Sequence, residues 1–452
     1  MYVYIPGMAM LSTNVLLAKY DRPVPRYTSF PTAVQFTDTI SPEAHRELLR
    51  GLDRDEPISL YLHIPFCHSL CHYCGCHTKI TATYEPVGAY IRTLLEEVRL
   101  CGDMIGSLLP AARIHFGGGS PNFAETEDLS ALLSGVARSF LFSEDTQIDM
   151  ECDPRLLTEE KIAAYAAMGV TRVSLGIQDF DENVQRAINR VQPYELVRWC
   201  VQTLRRHGIH QINFDLIVGL PEQTVESVSR TADLAMSLSP QRLAVFPYAH
   251  VPWMKKHQTL LEKFQLPGAQ ERFDMIETLR LMLTRRGYRE IGIDHYALET
   301  DSLCRAMMRG YMRRNFQGYT DDPSRTILGF GLSSISQFET AYVQNTTDAP
   351  SYRAALSAQN LPIQRGCFLS ADDRTRRALI ERLMCDFRLS FADFPEISVP
   401  RDLLALLEQD GLLRVEGDYL QISEHGKPFV RVVAACFDPY LNPEAGRHAR
   451  AV

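Results

Sequence analysis

The chain has no long apolar run. Nothing in its 452 residues approaches the ~20 consecutive apolar residues that cross a bilayer, so membrane insertion is not expected. It also lacks a strong charge of either sign. Lys and Arg total 47 against 55 Asp and Glu, a formal net charge of −8, which speaks against a general binder of nucleic-acid phosphates. A secretory pattern is missing too, because residues 1–20 carry no basic segment before an apolar stretch and no small-residue cleavage site. Without that pattern, and with an odd count of 11 cysteines, no disulfide framework is expected; the expectation is a reduced, cytoplasmic protein. Disorder is excluded for the bulk of the chain by 45% apolar and 23% charged residues, enough for a sizeable core. No internal repeat is evident.

What is present begins with a rhythm. β-branched or apolar runs at 59–66, 113–117, 147–152, 172–177, 211–218 and 242–248 alternate with helical patterns near 86–104, 126–140, 158–168, 194–207, 224–238 and 270–286. Such alternation implies parallel βαβ units with helices outside the sheet. A seventh strand is expected at 289–294, and residues 315–345, rich in Gly, Asn and Asp, read as loop. The fold class is therefore α/β, a partial or complete parallel (β/α) barrel. Polar and glycine residues gather where the strands end: Cys67, then Gly117-Gly118-Gly119, Glu151 and Asp153, Gln178, Asp215, and Tyr248 with His250. In barrels the active site is built at that face.

Before the barrel, residues 1–50 hold one helix-like stretch, Glu43 to Arg50, and a proline-punctuated arm, Arg22-Pro23-Val24-Pro25-Arg26-Tyr27-Thr28, expected to lie extended. After it, helices at 371–385, 401–409 and 423–436 flank a hairpin of Leu412–Val415 and Tyr419–Ile422. This is a mostly helical, winged-helix-like unit. The expected divisions are an arm at 1–50, a barrel at 51–350 and a C-terminal domain at 360–445.

Four cysteines crowd into Phe66-Cys67-His68-Ser69-Leu70-Cys71-His72-Tyr73-Cys74-Gly75-Cys76. The first three follow a C-x3-C-x2-C spacing, the kind of close thiolate run that holds an iron–sulfur cluster. Three ligands on a four-iron cube leave one iron open to a small molecule. A structural zinc site on all four cysteines is the alternative, although zinc sites more often use two separated pairs.

Cys67, Cys71 and Cys74 with an aromatic before the third, at the end of a first barrel strand, resemble the radical S-adenosylmethionine superfamily. The added Cys76 is similar to one branch, the oxygen-independent coproporphyrinogen III oxidases. Pro25-Arg26-Tyr27-Thr28-Ser29-Phe30-Pro31-Thr32, Tyr248-Ala249-His250-Val251-Pro252 and Asn315-Phe316-Gln317-Gly318-Tyr319-Thr320 resemble further segments of that branch. The resemblance implies a barrel of the radical S-adenosylmethionine type, a [4Fe–4S] cluster on Cys67, Cys71 and Cys74, and S-adenosyl-L-methionine as cofactor. It implies contacts to that cofactor from Tyr61, Tyr73, Gly118, Gly119, Ser120, Glu151, Gln178, Arg190, Asp215, Ala249 and Ile335. Cys76 is not expected to be a ligand. Two departures from the family pattern, Ser120 for Thr and Tyr73 for Phe, keep the hydroxyl and the aromatic ring respectively.

The reaction implied is oxidative decarboxylation of two propionates of coproporphyrinogen III to vinyl groups by a 5′-deoxyadenosyl radical, giving protoporphyrinogen IX. An electron donor such as a flavodoxin or ferredoxin is implied, as is a monomer. An anaerobic haem-modifying methyltransferase and a haem chaperone of the same superfamily are the alternatives. The substrate's four carboxylates call for cations. The candidates are Arg22, Arg26, Lys255, Lys256, His257, His295, Arg313 and Arg314.

Overall fold

Strand alternation decides what faces the sheet's two sides. In a computed structural model that describes residues 11–441 and Arg450, the alternate positions Ile148, Met150 and Cys152, Val173, Leu175 and Ile177, and Ile212, Phe214 and Leu216 all join one buried apolar core. The intervening positions, Gln147, Asp149, Glu151, Ser174, Gln178, Asn213 and Asp215, therefore face the other way. The outer face is covered by helices and the inner face is a polar lumen.

The elements that carry this arrangement are helix α1 (Thr13–Tyr20), α2 (Pro42–Arg50), β1 (Ile58–Ile64), α3 (Glu85–Ile105), β2 (Leu109–Gly118), α4 (Thr126–Ser139), β3 (Gln147–Cys152), α5 (Glu159–Ala167), β4 (Arg172–Gln178), α6 (Tyr194–Arg206), β5 (Gln211–Val218), α7 (Val225–Ser237), β6 (Arg242–Pro247) and α8 (Ala269–Arg285). Then come β7 (Tyr288–Ile291), β8 (His295–Leu298), α9 (Ser302–Arg309), β9 (Arg313–Asn315), β10 (Gly318–Thr320), β11 (Ile327–Phe330), β12 (Ile335–Gln337), β13 (Ala341–Asn345), β14 (Ile363–Phe368), α10 (Ala371–Asp386), α11 (Arg401–Gln409) and α12 (Val430–Ala435). The main sheet runs β7-β8-β6-β5-β4-β3-β2-β1-β11-β12-β13-β14. It is parallel from β6 through β1 to β11, antiparallel at both flanks, and open rather than closed. The fold is thus a partial parallel (β/α) barrel.

Three expectations are corrected. The strand expected at 289–294 is β7, an antiparallel edge strand on β8, not a seventh parallel one. The seventh parallel strand is β11, which pairs with β1 inside the segment read as loop. Its glycine content misled because Gly329 serves packing: a Cβ there would lie 2.6 Å from the Ile335 carbonyl oxygen, so glycine lets β12 approach. The helix expected at 423–436 is regular only over α12, because Gly426 and Pro428 restrict the preceding residues to turns and a short 3-10 segment.

A second core joins the two ends of the chain. Leu16, Leu17, Tyr20, Val24, Tyr27 and Phe30 pack with residues of α10, α11 and α12, while Ile40 and Leu49 pack on the main core. Residues 1–10 of the expected arm and 442–445 of the expected C-terminal domain lie outside the described residues. The lumen is plugged at the N-terminal ends of the strands by buried ion pairs. Arg113 meets Asp321 at 2.9 Å, Arg242 meets Asp301 at 2.6 Å and Asp321 at 3.3 Å, and Arg172 meets Asp301 at 3.4 Å.

Candidate active site

The cysteine loop leaves β1 at the opposite, C-terminal rim. A two-residue strand, Phe66–Cys67, pairs with Lys79–Ile80, so the loop begins and ends together. Its backbone is then fastened from two directions. The His72 N–H donates to the Ile188 carbonyl at 3.0 Å and the Asn189 amide to Leu70 at 2.8 Å. From beyond β6, Lys255 donates to the Cys76 carbonyl at 2.7 Å, His257 to Cys74 at 2.8 Å and Gln258 to Tyr73 at 2.9 Å. Lys255 and His257, candidates for the substrate's carboxylates, therefore also fasten this loop. Arg313 is paired with Glu381 at 3.3 Å and donates to the Ser324 carbonyl at 2.9 Å.

The thiols differ in setting. Cys71 is buried, Cys67 and Cys74 are half-buried, and Cys76 is exposed. Ser120 Oγ donates to Cys67 Sγ at 3.6 Å and Arg190 Nη1 to Cys71 Sγ at 3.6 Å. Burial pushes the free Cys67 thiol up to about 11, whereas Cys74 is drawn down to about 6, chiefly by its hydrogen bond with Cys76. Among the described residues, no three His, Cys, Asp or Glu groups gather around a position fit for one ion. Three thiols spread along one fastened loop suit the larger four-iron cube.

The glycine run completes the cradle. A Cβ on Gly119 would lie 2.7 Å from the Phe66 carbonyl oxygen and 3.0 Å from Cys67 Sγ, so any larger residue would push the first cysteine away. Gly118 has φ of +120° and a Cβ there would strike the His63 ring at 2.7 Å. Its N–H donates to Glu151 at 3.1 Å. Here donor chemistry and space both fit an iron–sulfur cluster with a small molecule beside it.

Most of the other sequence-predicted residues converge on the same rim. Glu151 accepts from His115 Nε2 at 3.0 Å, and the His115 ring stacks on Tyr61 with centroids 5.7 Å apart. The Tyr61 hydroxyl donates to His63 Nδ1 at 3.0 Å, since His63 Nε2 donates to the His77 carbonyl. Burial would raise Glu151, but the hydrogen bond and charge of His115 overcome it and hold the carboxyl below its usual range. Asp215 differs. Burial, reinforced by the charge of Glu151, raises it to about 6, although the Asn213 amide donates to it at 2.9 Å.

Gln178 and Arg190 meet over Gly176, where a Cβ would lie 2.8 Å and 3.1 Å from their side-chain nitrogens. Gln178 has φ of +66°, and the β4–β5 register shifts beside it. Arg190 donates to the Gly176 carbonyl at 2.8 Å and pairs with Asp153 at 3.2 Å, while its buried Nε has no partner.

Tyr73 packs against Val184, Ile188, Leu220 and Leu261. Ala249 follows β6, and its carbonyl accepts from Gln258 at 3.3 Å. Ile335 opens β12 against Gly329, the residue paired with Tyr61. Sequence reasoning missed His63 and His115. Their signal was the alternation itself, since both stand in register with lumen-facing positions of their strands.

This geometry has close counterparts. The pattern of the radical SAM superfamily matches residues 61–235 and that of the HemN C-terminal domain matches residues 369–429. An oxygen-independent coproporphyrinogen III oxidase of Cereibacter sphaeroides is 41% identical over 451 residues, covering 97% of this chain and 100% of the relative. That of Bradyrhizobium diazoefficiens is 41% identical over 437 residues, covering 95% and 97%. Among solved structures, the coproporphyrinogen III oxidase (HemN) of Escherichia coli, a radical SAM enzyme, superposes with a TM-score of 0.89 at 34% identity, covering 96% of this chain and all of that one.

Proposed function

The chain belongs to the oxygen-independent coproporphyrinogen III oxidases of the radical S-adenosylmethionine superfamily, and from that premise we propose how its residues serve the reaction. The activity is oxidative decarboxylation of two propionates of coproporphyrinogen III to vinyl groups, in porphyrin and haem biosynthesis. Its cofactors are a [4Fe–4S] cluster and S-adenosyl-L-methionine, which when bound together supply the electron and the hydrogen-abstracting radical.

Cys67, Cys71 and Cys74 hold the cluster. Gly118, Gly119 and Ser120 let the methionine portion approach, and Arg190 takes its carboxylate. Glu151 and Asp215 accept from ribose hydroxyls or the amino group, with Gln178 beside them. Tyr61, Tyr73, Ala249 and Ile335 wall the site. Residues 1–50 act as an arm, 51–350 as the catalytic barrel and 360–445 as a C-terminal domain. A flavodoxin or ferredoxin reaches the exposed outer edge of the cysteine loop at Cys76. The enzyme works as a cytoplasmic monomer. Among the described residues, no helix is long and apolar enough to cross a membrane.

The observation that carries this reading is the fastened three-thiol loop pressed on Gly119 and Arg190. An anaerobic assay tests it: reconstituted protein, reductant, S-adenosylmethionine, coproporphyrinogen III and an acceptor for the one electron each propionate releases should yield protoporphyrinogen IX, CO2, methionine and 5′-deoxyadenosine. Tight haem binding without turnover would instead identify a chaperone.

Asp215 gives a second expectation. With its pKa raised to about 6, the carboxyl offers two charge-assisted acceptor oxygens only once it has lost its proton, so binding is weakened on the acid side. S-adenosylmethionine affinity should be flat above pH 7 and weaken up to tenfold per pH unit below about 6. Asp215→Asn should remove that dependence and weaken binding about tenfold at neutral pH, measured by calorimetric titration.

A further inference from the structure

We propose that Arg26 and Arg314, gathered with His295 where β6 ends, form a binding site for a propionate carboxylate of the tetrapyrrole substrate. The inference rests on the decarboxylase reading above and names the residues that position its substrate.

Three separate parts of the chain meet there. Arg26 reaches from the arm to the Pro247 carbonyl at 3.2 Å, at the last residue of β6. Arg314, on β9, donates through Nε and Nη2 to the Arg26 carbonyl at 3.4 and 3.2 Å, and its guanidinium lies 4.3 Å over the Tyr319 ring. Asp294, between β7 and β8, meets His295 Nδ1 at 2.6 Å and Arg314 only at 4.0 Å. Arg431, on α12, donates to the carbonyls of Val24 and Pro25 and so fixes the arm from behind.

The guanidiniums outnumber their counterions: those of Arg26 and Arg314 share Asp294, whose carboxylate is hydrogen-bonded first to His295. Among the described residues Arg26 forms no ion pair. Arg314 is only 7% exposed, yet its Nη1 is buried with no hydrogen-bond partner. Burying a guanidinium without an anion is strongly unfavourable, and burial, with the neighbouring Arg314 charge adding to it, pulls Arg26 below its ordinary value despite Asp294. Such a surplus fits a site completed by an incoming anion, and a planar fork suits a carboxylate.

The surroundings suit a macrocycle bearing that carboxylate. The His295 ring packs edge-on against Phe246 and Tyr319, with centroids 5.7 and 5.6 Å away, so aromatic walls adjoin the charge. The site also adjoins the reaction centre, because His295 stands in register with Ala244 on β6, and Ala244 with Asp215 on β5. An anchored propionate would hold the ring at the lumen mouth and tie the arm to the barrel in the same contact.

The test uses the cluster-reconstituted full chain and two unreactive probes, coproporphyrin III and its tetramethyl ester, titrated by fluorescence. Wild type should prefer the acid. Arg26→Gln and Arg314→Gln should each weaken acid binding about 10–100-fold while leaving ester and S-adenosylmethionine binding unchanged. Two outcomes overturn the proposal: wild type that does not distinguish acid from ester, or folded variants that keep acid affinity or lose acid and ester equally. Should Arg314→Gln fail to fold, Arg26→Gln decides by the same acid-to-ester ratio. Turnover of coproporphyrinogen III by wild type is scored separately. Acid selectivity without turnover sinks the reaction and leaves the site, whereas turnover without selectivity sinks the site alone.

Discussion

Cys71→Ala is expected to abolish both the cluster and turnover while leaving the fold intact. Cys71 is only 8% exposed and its sulfur lies 3.6 Å from Arg190 Nη1, so it is the most enclosed of the three proposed ligands. Without it, two thiolates remain for a cube that needs three. Iron content and visible absorbance after reconstitution should fall to background. The protein should still fold, because the loop is fastened by His72, Asn189, Lys255, His257 and Gln258 rather than by its sulfurs. Arg190 keeps Asp153 as its partner, so the lost thiol leaves no unpaired charge. The stability cost should be about 1 kcal/mol, that of one small buried group. Cys76→Ala should behave oppositely and retain the cluster, since Cys76 is exposed and not among the proposed ligands. A full cluster in Cys71→Ala, or its loss in Cys76→Ala, would reverse the ligand assignment.

The spacing of these cysteines was legible because cluster ligation is local, with all three thiols on one short loop. The six parallel strands and their helices were legible for a similar reason. Each is a periodic run, and the helix at 401–409 matches α11 residue for residue. What escaped depended on distant partners. β11 looked like loop because Gly329 answers to the Ile335 carbonyl, a contact absent from any local pattern. That Lys255 and His257 hold the cysteine loop escaped as well, because nothing in their own segment reveals the carbonyls of Cys76 and Cys74. Helix α1 was missed because its apolar face, Leu16, Leu17 and Tyr20, is short and gains its partners only from the C-terminal core. His115 could have been found. It precedes the glycine run on a strand whose alternation already placed it inward.

The closed end of the barrel should prove as sensitive as the open one. Asp301 is 1% exposed, accepts from Arg242 Nε at 2.6 Å, meets Arg172 at 3.4 Å and caps α9 through the Leu303 N–H at 2.8 Å. Asp301→Ala should destabilise the protein by about 3–5 kcal/mol, because it strands buried guanidinium groups and removes a cap. The damage should centre on Arg172. Arg242 keeps Asp321 and Ser302, but among the described residues Asp301 is the one ion-pair partner of Arg172, whose buried Nε already lacks a hydrogen bond. Adding Arg172→Met should therefore recover much of the loss, and a double-mutant cycle in urea would measure the coupling. Additive losses would show that packing rather than charge dominates. Acid should expose the same network. Burial alone would raise Asp321, but Arg113 and Arg242 outweigh it and hold the carboxyl below its ordinary value. Its contribution is thus complete above about pH 4 and drains away as pH falls toward the depressed folded value. The urea midpoint of the cluster-free protein should therefore drop as pH falls below about 4.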